Sequence, residues 1–193
     1  MKNPEALKFP IGEFQKTNSI SENNIQNWIA TIENFPKEIK KLTENLSVEK
    51  LNLKYRPNGW SVKQVVHHCA DSHMNSFIRF KLALTEINPT VKPYDEAKWA
   101  ELTDGNEDDI SASLSIIEGL HKRWALLLKS FDNDNFSNTF FHPESKTTNR
   151  LDVILGFYAW HCKHHLAHIE QALKFNGMFN FSPDSSGNPF GEK

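Results

Sequence analysis

The chain has 193 residues, 38% of them hydrophobic, enough for one domain with a sizeable core. Its 22 basic and 24 acidic residues leave a net charge of −2, which gives no pull toward phosphate backbones or anionic lipid and argues against nucleic acid and membranes as partners. Two cysteines, the lack of a charged-then-apolar leader and the shortness of every apolar run read as a reduced, cytoplasmic protein. The expected partner is a small molecule or a second copy of the chain.

Residues 1–18 combine Pro4, Pro10 and Gly12 with Phe9, Ile11 and Phe14, the pattern of an extended arm packed on the body. From Ser21, an available N-cap, Ile25, Trp28, Ile29 and Ile32 share one helical face. Pro36 interrupts that pattern, which resumes in phase at Ile39, Leu42 and Leu46, so one kinked helix or two abutting ones are expected.

The second helix has the clearest start. Ser61 and Gln64 have capping-box spacing, Trp60 and Val65 stand where a hydrophobic staple needs them, and Arg56-Pro57-Asn58-Gly59 supplies the turn before. It runs to about Leu84. A connection of more than twenty residues follows, long enough for the third helix, about Ile110 to Phe131, to run parallel to the second. Residues 132–149 break the period and read as a short hairpin or a lid. The fourth helix covers about Asn149 to Lys174, and the chain after Gly177 turns to Asn, Ser, Pro and Gly. The expectation is an all-α four-helix bundle forming one domain over 1–177, with long loops between helices 2 and 3 and between 3 and 4, and a flexible tail over 178–193.

Four of the nine histidines fall in the eight residues from His161 to His168. At about 100° per residue, His161 and His165 lie one turn apart on one face, in phase with the apolar Ile154, Tyr158, Ile169 and Ala172. His164 falls toward the edge of that stripe, and His168 is a candidate either to stand behind a ligand or to be the third one. On the second helix, Val65, Cys69 and Ser72 share a side with His68, while His67 points away. Bundles build metal sites from inward side chains of facing helices, so His68, His161 and His165 are the candidate ligands of one divalent ion. Three protein donors leave a position open for water or substrate, and the ion would act as a Lewis acid, lowering the pKa of a bound water or thiol.

Other signals are weaker. Glu118 and His121 have Glu-x-x-His spacing, but di-iron bundles need two such motifs and two further glutamates, so both are read as helix-surface residues. Cys69 and Cys162, each next to a proposed ligand, are read as small buried hydrophobes rather than ligands or a redox pair. Asn75, Arg79, Tyr94, Asp95, Trp99 and His142 are candidates to line the mouth of the site, with Arg79 able to hold an acidic group. Serine-hydrolase, nucleotide-loop and Cys-x-x-Cys motifs are absent from the sequence.

The segments Phe9-Pro10-Ile11-Gly12, Tyr55 to Val62, Gln64 to Asn75, Ile78 to Glu86, Lys92-Pro93-Tyr94-Asp95 and Tyr158 through Ile169 resemble the YfiT branch of the DinB-like superfamily over about residues 8–175. The resemblance implies up-down-down-up connectivity, a homodimer, and one zinc or nickel ion per subunit on three histidines, which fall on His68, His161 and His165. Zinc is the first expectation and nickel the alternative. It also implies a metal-dependent enzyme, in the first reading a transferase in which the metal activates a low-molecular-weight thiol such as bacillithiol, with a hydrolase acting through water activated on the metal as the alternative. A metal-binding stress protein without turnover is the third reading.

Overall fold

The computed structural model describes residues 4–17 and 19–179. The tail expected over 178–193 lies almost wholly outside the described residues. Seven α-helices and one hairpin follow in order: α1 Glu22–Thr43, α2 Val48–Leu51, α3 Val62–Thr85, α4 Glu96–Trp99, α5 Ser111–Lys129, α6 Asn133–Ser137, β1 Thr139–His142, β2 Thr147–Arg150 and α7 Leu151–Phe175. The four long ones, α1, α3, α5 and α7, form the bundle.

Local chemistry sets their ends. Ser21 and Asn24 cap α1 reciprocally, as do Ser61 and Gln64 at α3, each pair satisfying two amide donors that a helix start leaves free. Asn176, in the left-handed region at φ 49°, closes α7. Pro36 sits inside α1, which continues through it as one helix.

Neighbouring side chains give the helix directions. His67 meets Ser113, His73 meets His121 and Phe80 meets Trp124, so α3 and α5 run parallel. His68 meets His161 and Ser72 meets Tyr158, so α3 and α7 are antiparallel. Trp28 lies on Gly156, where any Cβ would come within 3.0 Å of the indole ring, and places the start of α7 beside the start of α1. Glu33 pairs with Lys129 and Phe35 packs on His121 at 5.2 Å between centroids, running α5 against α1. The connectivity is up-down-down-up, and the long α3 to α5 connection is what permits two consecutive parallel helices.

That connection is pinned rather than loose. Gln64 Nε2 donates to Ala100 O at 2.9 Å, and Pro89 to Val91 join the edge of β1 through Phe141 N to Pro89 O (2.9 Å) and Val91 N to Phe141 O (3.0 Å). The hairpin expected within 132–149 is present, preceded by the short helix α6, and pairs Thr139 with Arg150 through His142 with Thr147. The arm lies along α7: Gln171 Nε2 donates to Leu7 O at 3.0 Å and Trp160 Nε1 to Gly12 O at 3.1 Å.

Trp124 is fully buried and packs against Phe77, Phe80, His73, His121 and Tyr158, joining the apolar core to the histidine layer. Trp124→Ala should cost about 3–5 kcal/mol of stability, the usual range for removing a large buried aromatic. A fall in the urea unfolding midpoint with an unchanged slope would check it.

Candidate metal centre

His68, His161 and His165 come together in the middle of the bundle, each buried, with their ligand nitrogens all within 4.8 Å of one another. His161 Nε2 is 3.4 Å from His68 Nε2 and 3.1 Å from His165 Nε2. A tetrahedral ion with bonds of ~2.0–2.1 Å to imidazole nitrogens spaces its donors about 3.3 Å apart, so the cluster already has that scale. Burial holds the His68 imidazole down to about 4, with a smaller contribution from His164, and drives His161 and His165 well below the ordinary histidine value. All three are therefore neutral at pH 7, the form that ligates.

The nitrogens of His161 and His165 that face away from the cluster are engaged elsewhere. His161 Nδ1 lies 3.0 Å from His73 Nε2, and His165 Nδ1 lies 3.4 Å from His168 Nδ1, whose Nε2 donates to Lys8 O at 3.0 Å. His168 thus stands behind a ligand and outside the cluster. Trp60 leans on the His68 ring at 4.6 Å between centroids. These contacts fix ring orientation and leave Nε2 of each histidine turned inward, the arrangement that metal-binding imidazoles with outer-shell partners show.

The other candidates divide. His67 is buried and points out of the cluster, to Ser113 Oγ (2.7 Å) and Glu107 O (2.9 Å), where it ties α3 to the start of α5. His164 is buried under the arm, stacked on Trp160 at 4.4 Å between centroids. Cys69 and Cys162 are fully buried, and burial pushes both thiols up, so they pack as neutral groups. Arg79, Tyr94 and His142 share a neighbourhood: the Arg79 charge acts on both Tyr94 and His142, and Arg79 Nη2 donates to Lys92 O at 3.2 Å. Asn75 instead donates to Asp71 O at 2.9 Å, within its own helix. Trp99 packs on Tyr94 at 4.5 Å between centroids, and Asp95 caps α4 through Lys98 N at 3.0 Å.

The surface assignment of His121 is wrong. It is fully buried, bonded to His73 and to the carbonyl of Ile32, whereas Glu118 is exposed as expected. His121 lies four residues after Ile117 and seven after Leu114, in phase with the apolar stripe of α5, and that spacing was the signal available. His73 was missed altogether. Five positions after His68, it leaves the helix on another side, toward α5.

A four-helix bundle enclosing three convergent neutral imidazoles defines a class of metal-centred bundle proteins. This chain belongs to the DinB superfamily, whose model matches residues 31–169. It is 51% identical over 168 residues to a Bacillus cereus (strain ATCC 10987 / NRS 248) protein named "Putative metal-dependent hydrolase", covering 87% of this chain and 96% of that one. A protein of the same designation from Bacillus thuringiensis subsp. konkukian (strain 97-27) is 50% identical over the same shares. Among solved structures, YfiT from Bacillus subtilis, described as "a probable metal-dependent hydrolase with an unusual four-helix bundle topology", superposes with a TM-score of 0.86 at 44% identity, over 89% of this chain and 98% of that one. These names side with hydrolysis over the thiol-transfer reading. No described helix is long and apolar enough to cross a membrane.

Proposed function

We propose that this protein is a metal-dependent hydrolase of a small molecule, with His68, His161 and His165 holding one divalent ion, zinc before nickel. The observation that carries the reading is the convergence of three Nε2 atoms at 3.1 and 3.4 Å in a buried, neutral cluster. A bound ion would supply Lewis acidity, making water a nucleophile near neutral pH and polarising the bond it attacks.

The chain's own residues do the rest. Trp60 packs on one ring of the cluster, Trp99 backs Tyr94, and all three imidazoles are buried, which shields the cluster from bulk water. Ser72, one turn beyond His68, meets Tyr158 OH at 3.4 Å, and Tyr94 lies near the same serine. Burial raises Tyr94 above the ordinary phenol value, with Ser72 and Arg79 opposing it, so its hydroxyl stays protonated and keeps a proton to donate. In this reading Tyr94 is the donor for the oxygen that gains charge as the substrate is attacked. Arg79, by holding the Lys92 carbonyl, fixes the loop that carries Tyr94.

The test is hydrolysis of ester and amide panels by zinc-loaded protein without thiol. A metal-dependent rate supports the reading; a rate seen only when a low-molecular-weight thiol is present would transfer the assignment to thiol chemistry. Tyr94→Phe should lower kcat by about 10²-fold, the scale for losing one charge-stabilising donor, while zinc content stays at wild-type level.

A further inference from the structure

The contacts behind His161 continue well past the outer shell. His161 Nδ1 is 3.0 Å from His73 Nε2, His73 Nδ1 is 2.7 Å from His121 Nε2, and His121 Nδ1 is 2.6 Å from the carbonyl oxygen of Ile32. Three rings from three helices therefore form one line that ends on a backbone atom of the fourth. The last contact gives the line a direction. A carbonyl oxygen only accepts, so the proton in that bond sits on His121 Nδ1. A neutral imidazole carries one N–H, so His121 Nε2 must accept, which puts the His73 proton on Nδ1. By the same step His73 Nε2 accepts, and the His161 proton is on Nδ1. What remains on His161 is the lone pair of Nε2, the atom that faces His68 and His165.

The Ile32 carbonyl is available because of one residue. In an uninterrupted helix it would accept from the amide of residue 36, but that residue is proline and has no N–H. Ile32 is fully buried, so a carbonyl left bare there would be costly. His121 supplies the missing donor. His73 and His121 are themselves fully buried and pack against Phe35 at 5.1 and 5.2 Å between centroids, which leaves them no solvent partner.

We infer that His73 and His121 are positioning residues that hold His161 in its metal-ligating tautomer, and that Pro36 sets the direction of the chain by freeing the Ile32 carbonyl as its terminal acceptor. The inference rests on the metal-centre reading for its purpose, though the proton order is a property of the metal-free protein. The role is not catalytic, since neither residue reaches the cluster itself.

Imidazole ¹⁵N NMR of metal-free wild-type protein near neutral pH tests it without any variant. The expected result is the Nδ1–H tautomer at His73, His121 and His161; an Nε2–H signal at His161 overturns the inference. A second measurement uses chelator competition for zinc. His73→Phe should bind about 10–100-fold more weakly, the scale for losing an outer-shell partner of a ligand. His73→Gln, whose amide both accepts and donates, should recover most of that loss. A Phe variant as tight as wild type, or a Gln variant as weak as Phe, overturns the inference. Wild-type protein that binds no divalent ion yet shows the stated tautomers removes the metal reading and leaves the proton order standing.

Discussion

His161→Ala and His165→Ala should each take the metal content of the purified protein from about one ion per chain to near zero. Either substitution leaves two imidazoles for an ion that needs at least three protein donors to be held at an open site. The fall in affinity should exceed the roughly 10–100-fold that loss of an outer-shell partner brings. His161 has the larger expected effect, because its Nε2 is the atom within 3.4 Å of both other donors and its Nδ1 carries the contact to His73. Elemental analysis of protein purified without added metal, beside the same measurement on His67→Ala and His164→Ala, is the direct check. Those two histidines are just as buried but turned away from the cluster, so their variants should keep the ion. Equal metal content in all four variants would remove the assignment of the ligands.

Metal-free protein should lose stability steeply as the pH falls from about 6.5 toward 4, the interval between the ordinary histidine value and the depressed ones. Burial holds His68 and His121 down to about 4 and His168 to about 3, and drives His73, His161 and His165 well below the ordinary value. The unfolded chain takes up these protons in that interval and the folded one does not. The stabilisation is therefore complete above the unfolded value and drains away through the interval, at roughly 1.4 kcal/mol per pH unit for each such histidine. Over that interval each contributes at most about 3 kcal/mol, so two or three acting together remove a large part of the roughly 5–15 kcal/mol by which a domain of this kind is folded. Urea midpoints at pH 7.5, 6 and 5 would measure the slope, and a midpoint unchanged across that range would contradict it. A bound ion holds its ligands neutral, so metal-loaded protein should keep its midpoint to lower pH than metal-free protein.

Most of the frame was legible because helical periodicity is a local property. Ser21 and Ser61 marked the starts of two helices through their own side chains, and the apolar stripes marked the faces that pack. The same rule singled out His68 from His67 and the pair His161 and His165 from His164, and the structure brings those three together. Where the stripe was not followed it would have served: His121 was assigned to the surface on the weakness of a motif, although its spacing from Ile117 put it in the core. The mouth of the site was less legible. Arg79 and Asn75 lie four apart on one helix, yet one reaches the loop at Lys92 and the other turns back to Asp71.

The order of residues alone determined four amphipathic rods, the caps that begin them, the long connection that allows two of them to run side by side in one direction, and the face on which each candidate ligand lies. All of these follow from angles of about 100° per residue and from hydrogen bonds that close within a few positions. Only the tertiary structure decided that a proline in the first rod leaves a carbonyl bare beside a histidine of the third, that this histidine bonds one from the second, and that the second bonds a ligand on the fourth. That line joins positions 88 and 89 residues apart in sequence. No periodicity carries such a distance, because which rods touch, and at what height, is set by packing them together.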